Sequence, residues 1–469
     1  MGQMIDGVWR HEQEAAPTSG GAFVRPATVF RDWIAAGGRF PPERGRYHLY
    51  VSLACPWAHR ALIFRRIKGL DRHIGLSVTH WLMGEEGWTF EAADGVIPDP
   101  YGLHALYQLY ARADPHYTGR VTVPVLWDTQ QQTIVSNESA DIIRMFGSAF
   151  NEIGALPGDY YPEPLRTEID ALNERIYATV NNGVYKAGFA KTQAAYETAI
   201  AELFDSLDWL EQRLARQPFL CGEAITEADW RLFTTLVRFD AVYHGHFKCN
   251  LRRLVDYPAL WDFTRALYQV DGVAETVNFD HIKRHYYVSH PWLDPTGIVP
   301  VGPAQDFSRP ASRKVPAADQ SGIGRATLVG LNHMALEVGD IDAALAFYGR
   351  IFTFRLRGKG EGMAFIDLGD QFIALMQGPV RAEAGHRHFG LVVDNRAAVR
   401  ALAEAAGAKL LDGPFLDFLD PWGNRVEVVQ YADIQFTKAP SVLRGMQLEL
   451  PKTKAALAEL AAKSMAPDA

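Results

Sequence analysis

The chain has 469 residues, 48% apolar, 22% charged and 12% aromatic, with a formal net charge of -8; this is too long for one ordinary core, so two or three domains are expected. Its charges are spread without a basic block or acidic tail, which speaks against nucleic acid or an anionic membrane as partner and for small-molecule chemistry. Three cysteines without metal-type spacing, no signal pattern and no long apolar run point to a reducing, cytoplasmic setting.

Taken in order, Tyr47 to Ser52 is strand-like, and Pro56 opens a helical stretch to about Lys68. A second strand is expected near Leu76 to His80, a third over Val121 to Leu126 and a hairpin partner over Thr133 to Val135. The polar turn Ser136 to Ser139 then leads into a helix around Ile142 to Phe146. This β-α-β then β-β-α order is an α/β thioredoxin-like arrangement, placed with an N-terminal extension in residues 1–150. From Glu163 to Val288 the periodicity is helical, as in Tyr196 to Leu214 and Glu227 to Tyr243, giving an all-α domain over 160–297. Thr226 and Asp229 have capping-box spacing at the head of one of these helices.

The stretch 298–327 is rich in Pro, Gly, Ala and Ser and reads as a linker. Beyond it the chain repeats itself. His333-Met-Ala-Leu-Glu-Val precedes a helix over Asp342 to Phe352, and His388-Phe-Gly-Leu-Val-Val precedes one over Ala397 to Ala406; each half continues as three short strands. Residues 328–435 are therefore expected to be an α+β domain of two βαβββ repeats, and 436–469 a tail with a helix over Lys452 to Lys463.

Cys55 stands where a strand gives way to a helix, so the amides and dipole of the helix start should favour thiolate. A cysteine met at random is more often a small buried apolar residue, and that reading is kept for Cys221 and Cys249. For Cys55 the surroundings decide otherwise. The run Leu49-Tyr-Val-Ser-Leu-Ala-Cys-Pro-Trp-Ala-His-Arg60 resembles the active-site segment of the glutathionyl-hydroquinone reductases, the Xi class of glutathione transferases. Gly87-Trp-Thr-Phe90, Tyr117 to Asp128, Asn137-Glu-Ser139, Asn181 to Ala190, Arg238-Phe-Asp240, His246 to Asn250 and His281-Ile-Lys283 continue the resemblance in the same order, over roughly residues 1 to 303.

That resemblance makes the helical domain a glutathione-transferase C-terminal domain. It implies glutathione along the thioredoxin-like domain, held by Trp88, Arg120, the backbone of Val123 before a cis Pro124, and Glu138 and Ser139. It points to Tyr185, Tyr243 and one of Tyr286 or Tyr287, of which Tyr286 is taken, around an aromatic acceptor. It implies a homodimer, and reduction of glutathionyl-hydroquinones to hydroquinones through a Cys55–glutathione mixed disulfide that a second glutathione resolves. The alternative is a conjugating glutathione transferase fused to a non-catalytic aromatic-binding or dimerisation module.

In the repeats, His333 and His388 hold equivalent places on first strands; Glu427 and Ile373 are read as the equivalent fourth-strand positions. Two imidazoles and one carboxylate with open positions suit a catalytic divalent metal, Fe(II), Mn(II) or Zn(II). His386 is a possible substitute ligand or acid-base group. Together with Phe347-Tyr348 and the turn Asp420-Pro-Trp-Gly-Asn424, the repeat resembles the vicinal oxygen chelate superfamily of glyoxalases and extradiol dioxygenases. An apolar fourth position argues against glyoxalase chemistry.

Overall fold

The computed structural model describes residues 2–11, 18–313, 328–351, 355–367, 371–378, 388–405, 408–413, 415–419, 425–445, 448–463 and 465. His386 and the turn 420–424 lie outside these, as does the stretch 314–327 of the expected linker; of Phe347 and Tyr348 only the backbone is described. The chain forms two compact units, residues 1–322 and 323–469.

The first unit contains a four-stranded sheet of β1 (Tyr47–Val51), β2 (Ile74–Val78), β3 (Val125–Asp128) and β4 (Thr133–Ser136), in the order β4-β3-β1-β2. β1 is parallel to β2 and antiparallel to β3. Its near-continuous apolar run fits a central strand covered on both faces. β3 starts later than its apolar run because Pro124 has no N–H to give a ladder. α1 (Pro56–Ile67) follows β1, and α3 (Ser139–Ser148) follows β4. Between β2 and β3 lies α2 (Leu106–Ala113), an element that the sequence patterns do not announce.

The helical part comprises α4 (Arg166–Ile176), α5 (Gly183–Gly188), α6 (Gln193–Leu214), α7 (Glu227–Arg238), α8 (Pro258–Tyr268) and α9 (Phe279–Val288). At the start of α7 the Asp229 carboxylate accepts from the N–H groups of Thr226 and Leu220, so the expected cap is present. α1 packs between α3 and α7 and is buried along most of its length, His59 and Arg60 included. The helix expected to run from Glu227 to Tyr243 changes winding after Arg238. Over Phe239–Tyr243 it widens, and the N–H of His244 reaches back five residues to the carbonyl of Phe239 at 2.8 Å. Tyr177–Asn181, between α4 and α5, widens in the same way, with Asn182 N–H on the Tyr177 carbonyl at 2.9 Å.

Residues 298–313, expected as linker from composition, lie against this helical part. Phe307 is buried among Trp261, Tyr268 and Phe279. The Arg313 guanidinium donates to the carbonyls of Leu214, Gln217, Pro218 and Ala259.

The second unit is built on one eight-stranded sheet: β5 (Leu328–Val338), β6 (Arg355–Gly360), β7 (Met363–Asp367), β8 (Phe372–Gln377), β9 (His388–Val393), β10 (Lys409–Leu411), β11 (Leu416–Leu419) and β12 (Arg425–Gln430). The order is β6-β7-β8-β5-β9-β12-β11-β10. Each half runs its first strand parallel to its last, β5 with β8 and β9 with β12, and the halves join through the antiparallel pair β5·β9. Both repeats therefore share a sheet within one chain. α10 (Ile341–Ile351) and α11 (Arg396–Ala405) are the crossovers. Lys454–Ala462 is helical near the C-terminus.

The ladder corrects one assignment. Glu427 pairs with Gly390, two residues after His388, and the residue that pairs two after His333 is Ala374, opposite Ala335. Ile373 pairs with Met334, one step out of phase, and its side chain packs with Ile341, Ile366 and Leu375 on the other face. The fourth position is still apolar, but it is alanine.

Candidate active site and metal cluster

Cys55 is the last residue before α1, half-buried, with extended backbone and Pro56 at the first helical position. Its Sγ lies 3.6 Å from the Val123 carbonyl oxygen. The Val123–Pro124 bond is cis, and the Val123 N–H makes no hydrogen bond among the described residues, leaving a backbone edge open beside the sulfur. Burial pushes the Cys55 thiol up, against the opposing pull of the Ala58 and Trp57 N–H groups and of the Arg238 and Arg25 charges. The helix start acts in the foreseen direction, and lost hydration, which the sequence does not announce, works against it.

Arg238 holds the approach to Cys55 in place. Fully buried, it donates to the carbonyls of Leu53 at 3.0 Å and Ala54 at 2.9 Å, the last two residues before the thiol. Another N–H meets His59 Nδ1 at 2.9 Å; that nitrogen must accept, so Nε2 carries the proton and donates to Thr276 Oγ1 at 2.8 Å. Burial and Arg238 keep this imidazole neutral.

Glu138 and Ser139 form the head of α3. The Glu138 carboxylate accepts from the Ala140 N–H and the Thr28 hydroxyl, both at 3.1 Å. The Ser139 hydroxyl lies 3.4 Å from the buried Arg60 guanidinium. Arg120 is half-buried in the loop leading to Val123. Trp88 is buried and stacks on His285 of α9 at 5.0 Å, so its first role here is to join the sheet domain to the helices.

The three tyrosines come together. Tyr286 is central, its hydroxyl 2.5 Å from that of Tyr185 and 3.0 Å from that of Tyr243. Tyr287 instead lies against His246, at 4.8 Å between ring centres. Burial pushes all three hydroxyls of the cluster up, which keeps them protonated. Three O–H groups share two bonds, so one hydrogen remains for a ligand. The unforeseen member of the site is Arg25, from the N-terminal extension, whose guanidinium carbon sits 4.8 Å from the ring centres of both Trp57 and Tyr185. No sequence motif marks it.

In the second unit, His333 and His388 face one another from adjacent strands, Nε2 to Nε2 at 2.9 Å. Glu427 oxygens lie 3.9 Å and 3.6 Å from those nitrogens, and ligand atoms of all three residues fall within 4.8 Å of one another. His333 Nδ1 is 2.7 Å from Asn332 Oδ1, which can only accept; Nδ1 therefore carries the proton and Nε2 turns a lone pair inward. Burial, aided by His388, pushes His333 down to about 4, so the ring is neutral, while burial pushes Glu427 up. With His333 Nε2 accepting, His388 Nε2 is the donor across that 2.9 Å contact, and releasing its proton would turn two imidazoles and a carboxylate on a bound cation. Gly390 makes room for the arrangement, since a Cβ there would come within 2.8 Å of the His333 ring.

Both units have relatives among known proteins. Glutathione S-transferase, N-terminal domain, matches residues 54–149, and Glutathione S-transferase, C-terminal domain, residues 193–266. The Glyoxalase/Bleomycin resistance protein/Dioxygenase superfamily matches residues 330–428. The chain is 57% identical to glutathionyl-hydroquinone reductase PcpF of Sphingobium chlorophenolicum, over 65% of its own length and 97% of the relative's. It is 56% identical to glutathionyl-hydroquinone reductase YqjG of Escherichia coli K12, over 67% and 99%. The glutathione-bound structure of YqjG covers 66% of this chain and 99% of its own, at 55% identity and a TM-score of 0.62. The chain belongs to the glutathionyl-hydroquinone reductases, the Xi class of glutathione transferases, and is an enzyme of that family carrying a second domain of the glyoxalase and dioxygenase superfamily.

Proposed function

We propose that the first unit reduces glutathionyl-hydroquinones to hydroquinones. The Cys55 thiolate attacks the glutathionyl sulfur; an S–S bond forms, the carbon–sulfur bond breaks, and its electron pair passes to the aromatic fragment, which takes a proton from the tyrosine cluster. Hydroquinone leaves. A glutathione thiolate then attacks the mixed disulfide, displacing Cys55 as thiolate and releasing oxidised glutathione. Glutathione is expected on the open Val123 edge and the head of α3, with Trp88 and Arg120 as further contacts. The observation carrying this reading is the Cys55 sulfur of a half-buried residue beside that unpaired edge, with protonated tyrosines close by. The test is mass spectrometry after one turnover: a single glutathionyl adduct on Cys55 is expected, and its absence in an active protein would return the conjugating reading.

For the second unit we infer a divalent cation held by His333, His388 and Glu427, the domain acting on the hydroquinone that the first unit releases. A bound divalent ion would polarise the oxygens of a chelating aromatic. The neutral His333, fixed by Asn332, and the Glu427 carboxylate are this chain's contribution to holding it. Stoichiometric metal in the purified chain, and oxygen uptake with hydroquinones after Fe(II) loading that His333→Ala abolishes, are the expected results. A metal-free protein without uptake across a panel of hydroquinones would leave a binding module.

A homodimer in a reducing cytoplasm completes the reading. Among the described residues no helix is long and apolar enough to cross a membrane. Sedimentation of the intact chain tests the assembly.

A further inference from the structure

Arg25 is held in an unusual way for a residue of an N-terminal extension. One edge is fixed by Nε, which donates to Asn182 Oδ1 at 2.8 Å. The guanidinium plane is wedged among the rings of Phe23 at 5.2 Å and of Trp57 and Tyr185 at 4.8 Å. No carboxylate pairs with it among the described residues, and neither terminal nitrogen makes a hydrogen bond there. A half-buried guanidinium with one of five donors engaged, already immobilised, is prepared for an anionic partner.

Its position says which partner. Tyr185, against which it stacks, is one end of the tyrosine chain, and its charge is felt by both Cys55 and Tyr185. Arg25 is thus held against Tyr185 and Asn182 of the helical part and Trp57 beside the thiol, next to the tyrosine cluster, whereas the open backbone edge of Val123 and the head of α3 belong to the sheet domain.

We propose that Arg25 forms an anion subsite at the acceptor end of the cleft and takes an ionised oxygen carried by the aromatic ring of the substrate. This rests on the reductase reading above and names its substrate class: hydroquinones made anionic by a carboxylate substituent or an acidified ring hydroxyl. The planar fork suits a carboxylate through two parallel N–H bonds, and a phenolate through one.

The test compares three glutathionyl conjugates, of hydroquinone, of 2,5-dihydroxybenzoate and of a dichlorohydroquinone, with the intact enzyme and with Arg25→Gln and Arg25→Lys. In Arg25→Gln, kcat/KM for a charged conjugate should fall about tenfold or more beyond the fall for the neutral one, the loss of a charge-assisted hydrogen bond. Arg25→Lys should recover part of that difference. A selective loss confined to the carboxylated or the chlorinated conjugate supports the subsite and identifies which oxygen it takes. Equal loss for all three, or a raised KM for glutathione with no discrimination, overturns it and assigns Arg25 to the thiol or to glutathione. Calorimetric titration of free 2,5-dihydroxybenzoate against hydroquinone reads the subsite without turnover. Selective binding of the carboxylate by an enzyme that reduces none of the conjugates would sink the reductase reading and keep the subsite.

Discussion

The thiol cleft draws its groups from far apart in the chain, from Arg25 in the extension through Cys55 and Val123 to Arg238 and Tyr286. The histidine and glutamate cluster takes all three of its residues from neighbouring strands of one sheet, where ladder register alone sets their spacing. The first site depends on how helices pack on a sheet, the second on a repeat. Substitutions remote in sequence should disturb the first, while the second should respond chiefly to its own strands.

The sharpest way to separate them is at the reacting atoms. Cys55→Ser should lower the reduction rate by about three orders of magnitude or more, with no mixed disulfide by mass spectrometry and with thermal stabilisation by glutathione retained. Glu427→Ala should weaken metal binding by at least about 100-fold in a chelator competition while leaving the thiol reaction rate as it was. A fall in thiol-dependent reduction in that variant would break the contrast.

Next in size is the hub of the tyrosine cluster. Tyr286→Phe removes the hydroxyl that joins Tyr185 to Tyr243 and should cost about 100-fold in kcat with little change in KM for glutathione. Smaller is the electrostatic effect of Arg238. Because burial raises the thiol and the arginine opposes it, the pH at half-maximal iodoacetamide labelling of Cys55 should lie above that of an ordinary thiol, and Arg238→Met should move it higher still. The same change strips donors from the Leu53 and Ala54 carbonyls, so unfolding by urea should show a loss of about 2–3 kcal/mol. The least effect is expected from Gly390→Ala, where the added methyl presses on the His333 ring and should cost about 1–3 kcal/mol.

The same contrast governs what is legible in the sequence. Cys55 before Pro56 and the doubled histidine strands are local patterns, and both can be read directly. Arg25 cannot, since a lone arginine in an irregular extension carries no periodicity; only the folded chain brings it to Trp57 and Tyr185. The raised thiol escapes a sequence reading because helix position is local, whereas desolvation is set by neighbours hundreds of residues away. Ile373 and Ala374 are adjacent, and the pleat of a strand turns that single step into a change of face, so the fourth position is settled only by the ladder. The helix Leu106–Ala113 is only eight residues long, too short for its period to stand out.

The two widened turns, Tyr177–Asn181 and Phe239–Tyr243, bear on the cleft in another way. Each puts more than the usual number of residues into one coil of the backbone, and each ends at a side chain that faces the chemistry, Asn181 on Arg60 and Tyr243 on Tyr286. Deleting one residue from either coil would restore ordinary pitch and rotate the groups within the coil by roughly 100° about the helix axis, while the backbone beyond it keeps its place. The aim of these groups is therefore written in the winding of the main chain, where exchanging one side chain for another cannot reach it.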